Sequence, residues 1–163
     1  MVHKLIAVHS IALAGLPLMI LGALGLSRIL SSRNRLSVAA FVIYSFAIAA
    51  SLSGIVIDGL VMPHLLPHLA DAAKIAAAAG AQPAATTSAS DTWRALLKYN
   101  GYLDMAFVQL SLVATGIAVI TWSIAMLLGR TFPRATGIYG LSLGIIALIA
   151  LFSGALEIGR AHV

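Results

Sequence analysis

The chain contains no cysteine. Its absence excludes disulfides and thiolate metal sites, disfavours soft Cu(I), and leaves the redox compartment undetermined. Charge is nearly as scarce: Asp, Glu, Lys and Arg make up 9% of 163 residues, where a soluble domain carries roughly a quarter. So few charges cannot cover a water-facing surface, and with 61% hydrophobic residues and a mean hydropathy of +1.03 the remaining solvent is lipid. Acids are the rarer sign, five against ten Lys and Arg, for a formal charge of +5. The basic residues sit between apolar runs rather than in a patch, which fits positive membrane-surface loops and not nucleic acid. Catalytic signatures are missing too. There is no GxSxG, no glycine-rich phosphate loop and no CxxC pair, and no serine has an obvious histidine partner.

What is present is a set of four apolar stretches, at about 5–30, 36–62, 101–129 and 135–158. Each reaches the ~20 helical residues needed to cross a ~30 Å hydrocarbon core. In lipid the backbone must satisfy itself, and the runs lack the alternation of a β-barrel, so they read as helices. The expected fold is an all-α, integral membrane four-helix bundle. Its topology is antiparallel and up-down, with a long loop at about 63–100, all within one domain (1–163). The first run exceeds a signal-peptide core of ~7–15 residues and is followed by Arg28, Arg33 and Arg35, so it reads as a retained helix, kinked at Pro17. In the long loop, residues 69–79 are alanine-rich and suit a short surface helix. Residues 80–90, GAQPAATTSAS, read as flexible, and Asp91 as the N-cap of a helix start. Trp93 and Tyr99 fit an interfacial aromatic belt. The two short loops hold Arg28, Arg33 and Arg35, and Arg130 and Arg134, with no acid. That bias places them in the cytoplasm and puts both termini and the long loop outside.

Packing in lipid is marked by small and polar residues. Gly137, Gly140 and Gly144 in the fourth run, and Gly15, Gly22 and Gly25 in the first, suit close helix approach within the chain or between copies. Two polar stripes stand out. Ser37, Tyr44, Ser51 and Asp58 recur every seven residues, and Asn100, Asp104, Ser111 and Thr115 follow at steps of four, seven and four. Each set shares one helix face, and both faces are expected to look into the bundle, as a polar seam or as a cavity. Trp122 reads as packing.

In an up-down bundle the start of the first helix, the end of the second, the start of the third and the end of the fourth lie on one side. His9, Asp58, Asp104 and Glu157 then share a depth. Asn100 and Tyr44, from the two stripes, complete the candidate ligand-binding set, with His64 and His68 at its mouth. Against this stands the plain reading of interfacial polar residues and helix capping, in which Asp104 suits a helix N-terminus while Asp58 and Glu157 do not suit C-termini. His64, His68 and Asp71 have the i, i+4, i+7 spacing of a metal-ligand set, although Pro63 and Pro67 oppose a regular helix there. The cofactor is left open: a divalent metal such as Zn, Mn or Fe, or, with less support, a haem held by His9 and either His64 or His68.

Residues 53–134 combine SGIVIDGLVMP, a variable loop, YNGYLDMAFVQLSLVATGIAVITWSIAMLLGR and FPR. This pattern resembles small polytopic bacterial membrane proteins of unknown function. The resemblance implies a bacterial inner membrane and carries no activity or site residues. The expected function is non-enzymatic: binding or passing a small cation or polar ligand at an outer-face site between the helices. The alternatives are an accessory or scaffolding subunit and a metal- or haem-dependent membrane enzyme. Expected partners are lipid and a homo-oligomer or larger membrane complex.

Overall fold

A computed structural model describes residues 2–32, 34–64, 71, 74, 78, 83–130 and 132–153. The elements are α1 (Val2–Ser31), α2 (Leu36–Val56), a π-helical turn (Ile57–Val61), α3 (Pro83–Gly129) and α4 (Arg134–Phe152). Four stretches are helical, long and apolar enough to cross a membrane: Ile6–Ser31, Leu36–His64, Ala95–Gly129 and Arg134–Phe152. They make the chain a multi-pass membrane protein by length and composition. Their outward side chains, such as Leu18, Phe46, Leu128 and Ile149, are exposed in the isolated chain, as a lipid-facing surface requires. Several hydroxyls outside the polar stripes bond within their own helix. Ser45, Ser53, Thr121 and Ser123 each donate to the carbonyl four residues back, at 2.7–3.0 Å, which removes the cost of an unpaired donor in lipid.

Two local expectations shift. Helix α1 includes Pro17 in its interior. Helix α3 begins at Pro83, so 83–100 is helix where a loop with a flexible start was expected, and Asp91 lies inside the helix rather than at its N-cap. The reason is visible in the chain: Pro83 suits a first helical position, and no glycine or proline follows until Gly101. Asp71, Lys74 and Ala78 also have helical backbone, as the alanine-rich composition of that segment suggests.

The helices pack in chain order. α1 lies against α2 and the π turn, α2 makes its largest contact with α3, and α3 packs on α4; α1 and α4 share no substantial contact among the described residues. The core lies between α1, α2 and α3, built from Ala23, Leu30, Ala40, Ala118, Trp122 and Ala125. Alanine dominates because lipid supplies no hydrophobic force between helices, and small side chains let backbones approach. The α3–α4 contact uses glycine the same way. Gly144 packs on Ile120, Gly140 on Ser123, Gly137 on Leu127, and Gly116 receives Leu148. Gly15, Gly22 and Gly25 of α1 meet nothing within 4 Å. The glycine spacing of the fourth span thus serves packing inside the chain.

A Cβ at Gly144 would stand 2.6 Å from Ile120 Cγ1 and 3.2 Å from the Gly116 carbonyl oxygen. Gly144→Val is expected to cost about 1–3 kcal/mol by overpacking, while Gly22→Ala changes stability by no more than about 1 kcal/mol, in the stabilising direction. Unfolding in mixed detergent micelles, with both variants beside the wild type, checks the contrast.

Candidate functional site

The two polar stripes meet. Ser51 and Ser111 share a hydrogen bond of 2.6 Å between their hydroxyls. Two and three turns further along, Asn100 Nδ2 donates to Asp58 Oδ1 at 2.9 Å, and the Asp104 carboxyl lies beside Asp58 in the same cleft. The seven-residue step of α2 matches the four- and seven-residue steps of α3, so the partners pair in register.

Two buried glycines and the π turn shape this end. At Gly54 a Cβ would stand 3.1 Å from Asp104 Oδ1, so the missing side chain is what lets that carboxyl reach the α2 backbone. At Gly59 the space of a Cβ is taken by His9 of α1. His9 is thereby seated on the π turn, within electrostatic range of Asp104. Asp58 is the second residue of that turn, in which the Met62 N–H reaches back to Ile57 O. The extra residue alters the facing of everything after it, and such turns recur at functional sites.

Between these elements lies a cleft of about 370 Å³. His9, Ser51, Asp58, Asp104 and Ser111 supply its polar groups, and Ile55, Phe107, Val108 and Leu112 its apolar wall. Ionised carboxylates only accept hydrogen bonds. Two ionised carboxylates side by side repel each other, so this end of the cleft favours positive charge.

The opposite end of the same seam is closed. Trp122 Nε1 donates to Ser27 Oγ (3.0 Å), which donates to Ser37 O (3.1 Å), and Ser37 Oγ donates to Asn34 O (3.0 Å). Tyr44 belongs here: its ring lies 5.4 Å from that of Trp122, tilted by 56°. The expected placement of Tyr44 with the ligand-binding residues is therefore corrected. Spacing put it on the right face but could not see that Trp122 fills the space before it. Between the two ends lie Ala47 (1% exposed), Ala118 (0%), Ala114 and Ile48, with the half-buried Thr115 of the α3 stripe among them.

Of the other expected site residues, His9, Asp58, Asn100 and Asp104 are brought together. Glu157 and His68 lie outside the described residues. His64 is exposed, its Nδ1 donating to Leu60 O at 2.7 Å, and Asp71 pairs with Lys74 at 3.3 Å on the surface. Among the described residues no three His, Asp or Glu side chains form a group suited to a metal ion. Sequence reasoning missed Ser27, Gly54, Gly59 and the π turn. The signal available for the glycines was their position in SGIVIDG, flanking Asp58 at −4 and +1.

No protein family, no curated protein and no solved structure matches the chain.

A double-mutant cycle on Ser51→Ala and Ser111→Ala is expected to give a coupling of about 0.6 kcal/mol, and no more than about 1.7 kcal/mol. A coupling of zero in unfolding measurements would remove the bond from the account. Gly59→Ala is expected to destabilise the fold by about 1–3 kcal/mol through collision with His9. Adding His9→Gly should recover part of that loss, which the same unfolding assay reads directly.

Proposed function

We propose that this protein is an antiparallel, up-down bundle of four membrane helices, with a long connection between the second and third, that holds a small cation in the Asp58–Asp104 cleft. The observation that carries this reading is the contact between two carboxyls on neighbouring helices, with an amide already committed to one of them and a histidine beside the other. Ionisable groups are expensive inside a membrane, and their survival there is by default a functional statement. The carboxyl pair supplies a position that favours a positive charge, with His9 the titratable nitrogen beside it.

Holding is favoured over passing. A path across the membrane would continue from Ser51 and Ser111 toward Ser27 and Ser37, and the buried side chains of Ala47, Ala114 and Ala118 narrow that route, along which Thr115 adds a single stripe hydroxyl. The arginines of the short loops place those loops in the cytoplasm and the cleft at the outer face. The pattern shared with small bacterial membrane proteins points to a bacterial inner membrane. The reading is non-enzymatic. A second reading, an accessory subunit of a membrane complex, draws on Gly15, Gly22 and Gly25, where an added Cβ would meet nothing within 4 Å among the described residues of other helices. It calls for stoichiometric co-purification with a larger assembly.

The test is thermal unfolding of detergent-purified protein across a panel of chloride salts: Na⁺, K⁺, Mg²⁺, Ca²⁺ and simple ammonium ions. A bound cation stabilises by about 2.7 kcal/mol at a hundredfold excess over its Kd. Saturable stabilisation is expected for the wild type and for Tyr44→Phe, and is lost in Asp58→Asn and Asp104→Asn. A panel in which no cation stabilises in an Asp-dependent manner would sink the reading.

A further inference from the structure

We infer that the cation this cleft holds is organic: an ammonium group carrying a compact apolar substituent. The inference rests on the cation-holding reading above and names the class of ligand.

The first argument is coordination. Ca²⁺ takes about six to eight oxygen ligands and Mg²⁺ a near-ideal octahedron, so either ion held here would have to keep most of its water. The cleft is poor in free oxygen. Asp58 Oδ1 already accepts from Asn100, and the hydroxyls of Ser51 and Ser111 are turned on each other. What remains is the Asp104 carboxyl and the second oxygen of Asp58. His9 adds a nitrogen rather than an oxygen, and no three acidic or histidine side chains among the described residues converge as a metal set. An ammonium group asks for less. It is a point charge with a few donors, and one or two carboxylates satisfy it.

The second argument is independent of the acids and comes from the opposite wall. Ile55, Phe107, Val108 and Leu112 present hydrocarbon to a space of about 370 Å³, within the range of small-molecule pockets and far beyond the needs of a bare ion. A hydrated inorganic ion would press its water against that wall. An alkyl or aryl group would displace the water and bury its own surface. Phe107 adds an aromatic ring on the same wall, and aromatic rings attract ammonium ions. A carboxyl pair at one end and an apolar wall at the other match a molecule with a charged head and an apolar body. A free amine and the amine headgroup of a lipid share this chemistry.

The test titrates full-length protein in detergent with phenethylammonium chloride, ammonium chloride, magnesium chloride and the neutral isostere 2-phenylethanol, reading heat of binding and thermal shift. Phenethylammonium is expected to bind saturably and at least tenfold more tightly than ammonium, with no Asp104-dependent binding of 2-phenylethanol. Asp104→Asn should weaken phenethylammonium at least tenfold and Phe107→Ala several-fold, with Tyr44→Phe unchanged. The probe series keeps the test decisive if a variant fails to fold. Phosphatidylethanolamine added to the micelles displaces the probe if the ligand is a lipid headgroup and leaves it bound if the ligand is a free amine; either result supports the ammonium class. If magnesium or another inorganic cation binds through Asp58 and Asp104 and phenethylammonium does not, the inference is overturned while the cation site stands. If no cation binds, both fall.

Discussion

Lipid offers no hydrogen bonds, and everything else in this molecule follows from that. A polar group inside a span must find its partner in the chain or remain costly. Isolated hydroxyls solve the problem alone by bonding the carbonyl a turn back, as Ser45 and Thr121 do. Carboxyls and amides cannot be satisfied so locally. Asp58, Asn100 and Asp104 must find one another across a helix interface, and that need fixes the register of α2 against α3 along with Ser51 and Ser111. The largest interface in the molecule is thus also the one that carries its polar side chains.

The two ends of that interface are built from the same kinds of residue and behave differently. Near the α1–α2 connection, Trp122 fills the space between helices, its N–H is taken by Ser27, and alanines close the remainder. Near the π turn the large residues stand on the walls of a cleft, and glycines at 54 and 59 remove side chains where helices meet. Glycine is costly in a helix interior. At Gly59 the cost is met by the seating of His9; at Gly54 it is met only by the approach of Asp104.

How much of this was readable in advance depended on the range of the interaction. The four spans were legible because crossing a membrane is a property of a contiguous run. The pairing faces of α2 and α3 were legible because a seven-residue recurrence survives any detail of packing. Tyr44 shows where the method stops: it lies on the predicted face, yet its neighbour comes from residue 122, and nothing local distinguishes a tyrosine facing a cleft from one facing an indole. Helix α3 shows a different failure. Small polar residues between Pro83 and Asp91 have the composition of a linker, and only the absence of any breaker before Gly101 marks them as helix. The π turn left no trace that spacing alone would reveal.

The order of packing has a consequence for where function can sit. Among the described residues α4 packs substantially on α3 alone, so the helices there do not enclose a central axis. A closed bundle of four would place a pore, or a cofactor such as haem, along that axis. A row of helices packed in chain order has interfaces instead, and a site must form where three elements converge on one of them. That happens where His9 of α1 reaches the π turn beside Asp104 of α3. The same geometry recurs with Ser27, Ser37 and Trp122, where the Trp122, Ser27 and Ser37 donors each have an acceptor. The meeting place at the π turn differs in opening onto a cleft lined by two carboxyls.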